Sequence, residues 1–394
     1  MDENKKILMI SGKACYPPDV GNRRRIHNII LLMKQLGYQV DFLFHASERI
    51  DCEKQMKEFL GKEHFYYCKS PYEKENFFAK HSRGCYLERF VPPYSVDFKY
   101  MKEISEKVNS LIEKQKYDIV WMEYPHQSKV LDSINGNILK VIDTHDRFAY
   151  SNRKMFPLTH RLVDYSLSYR GERKALSRAD VAVAIQKEEG KYFKWLLQKK
   201  RTSVVTIGDN HELVKNPVNV THDICFIGSA YRPNIDAINW FIHEVFPIVQ
   251  ESVPDSRVVI VGKICGELNV KGKKNVVTLG CVEDIDEAYA NCRLVVNPVR
   301  VGTGLNIKTI EAIAHCKPLV STSVGAKGIN YKKPVMAIAN DKQGFAKKVI
   351  CFLKDDSLCE KYGKHCAEFI EEYNRQNLQA MDKILNMRKR RAKQ

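Results

Sequence analysis

A two-domain α/β chain built on parallel sheets is what this sequence predicts, and three observations predict it. Short apolar runs alternate with helix-patterned stretches along the chain, the alternation that builds βαβ units. At 394 residues and 44% hydrophobic content there is material for two full cores. A polar stretch over residues 208–222, carrying Asn210 and Pro217, breaks the alternation near the middle and has the composition of a linker. The expected domains are therefore residues 1–207 and 223–373.

Residues 6–11 form the first predicted strand, and a turn-rich loop with Pro17, Pro18, Asp19 and Gly21 follows. Asn22 can cap a helix over 23–36, whose Ile26, Ile29, Ile30, Met33 and Leu36 keep a helical period. Gly37 ends it and residues 40–44 are the next strand, so the chain opens as a Rossmann-like domain. Arg23, Arg24 and Arg25 crowd the helix start, where cations oppose the macrodipole unless they face an anion. Residues 71–96 are aromatic and irregular, suited to packing within their own domain, to lining an acceptor cleft or to touching a membrane.

A helix over 98–115 leads to a strand over 118–122. A strand over 140–143 ends in Asp143-Thr144-His145-Asp146-Arg147. Polar groups just past a strand's carboxyl end lie at the ligand crevice of a doubly wound sheet, which singles out His145 and Asp146. An Asp-capped helix beside a partly buried His explains the same residues. A basic helical region over 162–177 and strands over 180–185 and 204–207 complete the first domain.

The second domain starts with a strand over 223–228, a loop over 229–234, and an amphipathic helix carrying Ile238, Phe241 and Ile242. Strands over 257–261 and 276–279 end in Gly262 and Gly280. Asp284-Ile285-Asp286 formally matches a metal-binding D-x-D, but it stands at a helix start, where Asp serves as a cap. The informative stretch is NPVRVGTGLNIKTIEAIAHCKPLVSTSVGAKG, residues 297–328. It predicts a strand, a glycine loop (Gly302, Gly304), a helix over 306–315 and a second strand over 319–321.

A glycine loop at a strand's carboxyl end, running into a helix N-terminus, is suited to a phosphorylated ligand. Lys308 in the first helical turn and Glu311 at i+3 share one side, a cation for the phosphate and a carboxylate for sugar hydroxyls. After this stretch, helices over 345–353, 358–373 and 374–386 follow.

GTGLNIKTIEA followed by KPLVST, Gly325 and Gly328 resembles the donor-binding segment of the GT-B glycosyltransferases of family 4, the group 1 transferases. The resemblance implies two Rossmann-like domains facing across a cleft, with residues 374–394 crossing back to the first domain before a basic tail. It implies that Arg232, Gly302, Thr303, Gly304, Leu305 and Lys308 bind the donor diphosphate, that Glu311 holds the ribose, and that Val282 in GCVED lies beside the base. Gly21 falls where the family's first-loop glycine meets phosphate or acceptor, and His145 with Asp146 falls where a histidine reaches the donor sugar. Two departures stand out: Thr303 occupies the position of the family's first motif carboxylate, and Cys316 replaces its helix-ending Gly, a conformation a Cys adopts at some cost.

The implied activity is hexosyl transfer from a nucleoside-diphosphate sugar to an acceptor hydroxyl, with retention, in surface polysaccharide or glycan assembly. It needs neither cofactor nor metal, because Lys308 and the helix N-terminus stabilise the leaving diphosphate. A nucleotide-sugar 2-epimerase and an idle nucleotide-sugar-binding scaffold are the alternatives. The formal charge of +17 and the ending MRKRRAKQ favour anionic partners. With a lipid-linked acceptor, an anionic membrane leaflet is favoured over nucleic acid, for which no motif appears. The twelve cysteines include no C-x-x-C pair, and no run of eighteen apolar residues occurs, so a cytoplasmic protein at the inner face of the membrane is expected.

Overall fold

The computed structural model describes residues 5–18, 20–47, 50–70, 95–151, 166–215, 223–270, 272–301 and 306–387. The chain divides into two compact units, Met1–Asp209 with Gln376–Gln394, and Asn210–Arg375.

In the first unit β1 (Lys6–Ser11), β2 (Gln39–Ala46), β3 (Phe65–Lys69), β4 (Ile119–Glu123), β5 (Leu139–Asp143), β6 (Val181–Ala184) and β7 (Ser203–Thr206) form one sheet in the order β3-β2-β1-β4-β5-β6-β7. Its pairings are parallel. Central strands of such a sheet are covered on both faces, which is why β1 and β4 are unbroken apolar runs. Helices α1 (Gly21–Gln35) and α2 (Glu53–Leu60) cover one face through Ile26, Ile30, Met33 and Met56, joined by Met381 and Ile384 from the chain's last helix. Helices α3 (Lys102–Lys114), α4 (Tyr169–Leu176) and α5 (Lys187–Leu197) cover the other through Ile104, Val108, Leu176, Phe193 and Leu196.

The second unit repeats the plan. Its strands β8 (Asp223–Ile227), β9 (Arg257–Val261), β10 (Val276–Gly280), β11 (Leu294–Asn297), β12 (Leu319–Ser321) and β13 (Ala337–Ile338) pair in parallel in the order β10-β9-β8-β11-β12-β13. Its helices are α6 (Arg232–Trp240), α7 (Phe246–Ser252), α8 (Ile285–Ala290), α9 (Ile307–Ala314) and α10 (Lys342–Lys354), and α11 (Asp356–Leu385) starts in this unit and ends in the first. Ile238, Val249 and Phe345 pack on one face of the sheet, and Tyr289, Ile310 and Ile370 on the other. In both units the strand order reverses beside the first strand, between β1 and β4 and between β8 and β11. Ligands of open α/β sheets bind outside the carboxyl ends of the strands at that point.

Several expectations are corrected. Helix α1 begins at Gly21 rather than Arg23: extended Val20 is its N-cap residue and makes no side-chain cap, while Asn22 lies inside the first turn, where its Oδ1 accepts from the Arg23 amide at 2.8 Å. The helices expected over 358–373 and 374–386 are one helix of 30 residues, because neither Pro nor Gly interrupts the chain after Gly363. Asp284 does cap α8, its carboxylate accepting from the Asp286 amide at 2.8 Å. Cys316 adopts φ +55° at the end of α9, the left-handed conformation foreseen for that position. The aromatic segment 71–94 lies outside the described residues.

Close backbone packing after β9 requires a glycine. Gly262 follows β9 with φ +107°, and a Cβ there would lie 2.3 Å from the Gly228 carbonyl oxygen. Because that neighbour is backbone, Gly262→Ala is expected to cost about 2 kcal/mol or more of stability, measured by urea unfolding.

Candidate functional site

In the second unit the carboxyl end of β11 and the first turn of α9 gather the polar groups. Asn297 ends β11 fully buried and donates to Thr309 Oγ1 at 2.9 Å, and Thr309 donates to the Gly325 carbonyl at 2.8 Å. A Cβ on Gly325 would lie 2.5 Å from Ser321 Oγ, so the loop after β12 needs glycine to fit against β11.

Lys308 reaches across the point where the strand order reverses. Its Nζ donates to Asn234 Oδ1 of α6 at 2.7 Å and sits 4.5 Å from the centre of the Phe226 ring of β8. The side chain is half-buried, and among the described residues no carboxylate pairs with it. Desolvation alone lowers its pKa to about 7.

One turn on, Glu311 is buried and accepts from the Tyr289 hydroxyl at 3.4 Å. The Tyr289 ring stacks on His315 at 4.1 Å, and His315 Nε2 meets Asp286 Oδ1 at 2.8 Å. Burial lowers the His315 pKa against the pull of Asp286. No side chain caps α9 at its N-cap residue, Asn306.

In the first unit Glu123 ends β4, Asp143 ends β5, and His145 follows two residues later. Arg25 of α1, one of the three arginines expected to face an anion, is buried, and the anion it faces is a carboxylate of this chain, Asp143. Its guanidinium donates Nε and Nη2 to Asp143 Oδ1 at 3.1 and 2.8 Å and Nη1 to the Ile207 carbonyl at 3.1 Å. Glu123 Oε1 accepts from Trp121 Nε1 at 2.8 Å, and its Oε2 meets His145 Nε2. Burial and Asp143 raise the Glu123 pKa, while His145 and Arg25 oppose them.

The His145 ring lies flat on Tyr124, centroids 3.9 Å apart, and both residues hold positive φ. Among the described residues Glu123, Asp143 and His145 are the one group whose donors could surround a metal ion, within 4.8 Å of one another. Of these, Glu123 Oε2 and His145 Nε2 meet each other and Asp143 Oδ1 accepts from Arg25.

Residues 221–355 match the family described as Glycosyl transferases group 1. The second unit carries a group 1 glycosyl transferase domain. A Klebsiella pneumoniae protein described as an uncharacterized 44.6 kDa protein in the cps region is 24% identical, over 93% of this chain and 96% of that one. The pneumococcal O-GlcNAc transferase GtfA, solved with UDP and GlcNAc, superposes with TM-score 0.69 at 11% identity, covering 98% of this chain and 99% of the other. Sucrose-phosphate synthase from Thermosynechococcus elongatus superposes with TM-score 0.66 at 14% identity, covering 95% and 97%. The fold is that of the GT-B glycosyltransferases.

Within this transferase fold the site residues expected from the sequence fall unevenly. Lys308 and Glu311, expected to share one side of their helix, are one turn apart on α9 and reach different partners, Asn234 and Phe226 for the lysine and Tyr289 for the carboxylate. Val282 is half-buried after β10, and Gly21 is the first residue of α1. Arg232 begins α6 with its side chain 68% exposed, paired to Asp236 at 3.1 Å. His145 presents only 6% of its side chain, whereas Asp146 is exposed and accepts from the Arg147 amide at 2.7 Å. Gly302, Thr303, Gly304 and Leu305 lie outside the described residues.

Sequence reasoning missed Asn234, Phe226, Glu123 and Glu189. Glu189, in the first turn of α5, is buried, and burial with Asp146 nearby raises its pKa to about 8. A polar residue ending a strand was the one available signal, and it applied to Glu123.

Proposed function

We propose that the protein transfers a hexosyl group from a nucleoside-diphosphate sugar to an acceptor hydroxyl with retention of configuration. The observation that carries this is Lys308: an ammonium without a carboxylate partner among the described residues, desolvated, in the first turn of α9, whose N-cap residue Asn306 makes no side-chain cap. Such a group is stabilised by an anion and, in turn, stabilises negative charge that develops as a diphosphate departs. That chemistry needs no metal at the diphosphate, and the donor serves as co-substrate without a further cofactor.

In this reading the Gly302–Leu305 loop and Arg232 flank the diphosphate, Glu311 takes the ribose hydroxyls, and Val282 borders the base. Gly21 brings the start of α1 to the acceptor, and His145 with Asp146 meets the transferring sugar, with Glu123 and Tyr124 fixing the imidazole. The UDP held by GtfA supports a uridine nucleotide, and the relative in a cps region supports surface-polysaccharide assembly. A lipid-linked glycan acceptor, met at the cytoplasmic face of the membrane, fits that role.

The test is a thermal-shift screen with UDP, GDP, ADP and CMP, followed by the matching sugar nucleotides. A rise in melting temperature with UDP and not with CMP is the expected result, and no shift with any diphosphate overturns the assignment. Product analysis with donor alone then separates transfer from epimerisation, since an epimerase converts its substrate without an acceptor.

A further inference from the structure

We propose that the exposed face of α4 and α5 is a docking surface for an anionic lipid bilayer. Helix α5 is fixed in rotation because Tyr192, Phe193, Leu196 and Leu197 are buried beneath it. The opposite face therefore presents Lys187, Lys191, Lys194 and Trp195, all exposed and spaced by three and four residues. Trp195 is 54% exposed, and Tyr169 of α4, 42% exposed, meets it edge-on at 5.9 Å. Arg173 Nε donates to the Leu196 carbonyl at 2.7 Å, locking α4 beside α5.

The helix then runs out into exposed Lys199, Lys200 and Arg201. Against these cations the helix exposes Glu188, which bonds Lys191 at 2.7 Å. A large exposed indole and phenol ringed by lysines is poorly suited to water. It is well suited to a headgroup layer, where rings sit at the interface and lysine stems lie along apolar surface with their charges in the anionic plane. Among the described residues no helix is long and apolar enough to cross a membrane, so attachment through this face is peripheral.

The tryptophans make the test direct. Of the three in the chain, Trp121 is 0% and Trp240 6% exposed, which leaves Trp195 as the reporter. With vesicles of phosphatidylglycerol and phosphatidylcholine, Trp emission should shift to the blue and be quenched by brominated acyl chains, and added salt should reverse both. Pure phosphatidylcholine vesicles should give neither. Lys187→Glu, Lys191→Glu and Lys194→Glu together should lower vesicle partition on the order of a hundredfold or more. Trp195→Phe should abolish the quenching while the protein still sediments with vesicles.

A folded protein that shows no quenching, or a triple variant that partitions as before because the basic tail suffices, overturns the proposal. So does binding to nucleic acid through these lysines without vesicle binding. The probe is the vesicle alone, so the result stands apart from the nucleotide screen, in which the triple variant should melt and shift as the parent does.

Discussion

Lys308→Met is expected to weaken UDP binding by about 1.5–3 kcal/mol, roughly 10- to 150-fold, while leaving the free protein as stable as the parent or about 1 kcal/mol more so. Both halves follow from one fact. The ammonium is desolvated by its surroundings and no carboxylate among the described residues repays it, so folding holds its pKa near 7. The folded-state value lies below the unfolded one, so the penalty is fully present below about pH 7 and is relieved as pH rises from there towards 10.5.

A bound diphosphate reverses that depression by favouring the charged form. At pH 8 UDP binding should therefore take up close to one proton, visible as a binding heat that depends on the ionisation enthalpy of the buffer. The affinity should fall as pH rises above 7. In Lys308→Met both effects should vanish, even where residual binding remains. Unchanged affinity in a folded variant, or proton uptake that survives the substitution, would show that the anion sits elsewhere.

The parallel sheets were legible because their central strands are continuous apolar runs punctuated by glycines, and the β11–α9–β12 unit because Lys308, Glu311 and the glycines lie within one local pattern. What stayed hidden is non-local. Lys308 and Asn234 are 74 residues apart, and Arg25 and Asp143 are 118 apart, so no window of sequence shows that either pair meets. The arginine run at a helix start pointed to an anion facing it, but not to which one, because the carboxylate that Arg25 meets lies far along the chain.

Helix α5 escaped for a different reason. Gly190 sits inside it, where propensity argues against a helix, yet a Cβ there would lie 2.5 Å from Thr206 Oγ1, so close packing on β7 selects the glycine that local rules penalise. His145 was singled out by its place after β5, but its contact with Glu123 on the neighbouring strand was not visible in the sequence.

The Arg25–Asp143 pair should carry the largest stability effect in the first unit. Arg25→Ala is expected to lose about 3–5 kcal/mol, because Asp143 is 0% exposed and would be left charged beside buried Glu123. Replacing both partners with apolar residues of similar size, Arg25→Met with Asp143→Leu, should recover much of that loss, since the penalty comes from the orphaned charge more than from the bond itself. The sign of the pH dependence is fixed by the carboxylates. Glu123 already has a raised pKa, so folding disfavours its charged form relative to the unfolded chain, and removing Arg25 strengthens that bias. A raised carboxylate destabilises above its folded pKa and ceases to do so below its unfolded one. The gap between Arg25→Ala and the parent should therefore narrow as pH falls from 8 to 5, as read from urea unfolding at each pH. A gap below about 1 kcal/mol, well short of the usual cost of breaking a buried pair, or one that widens towards acid, would mean that packing of α1 on the sheet, and not this ion pair, fixes the carboxyl ends of β4 and β5 around His145.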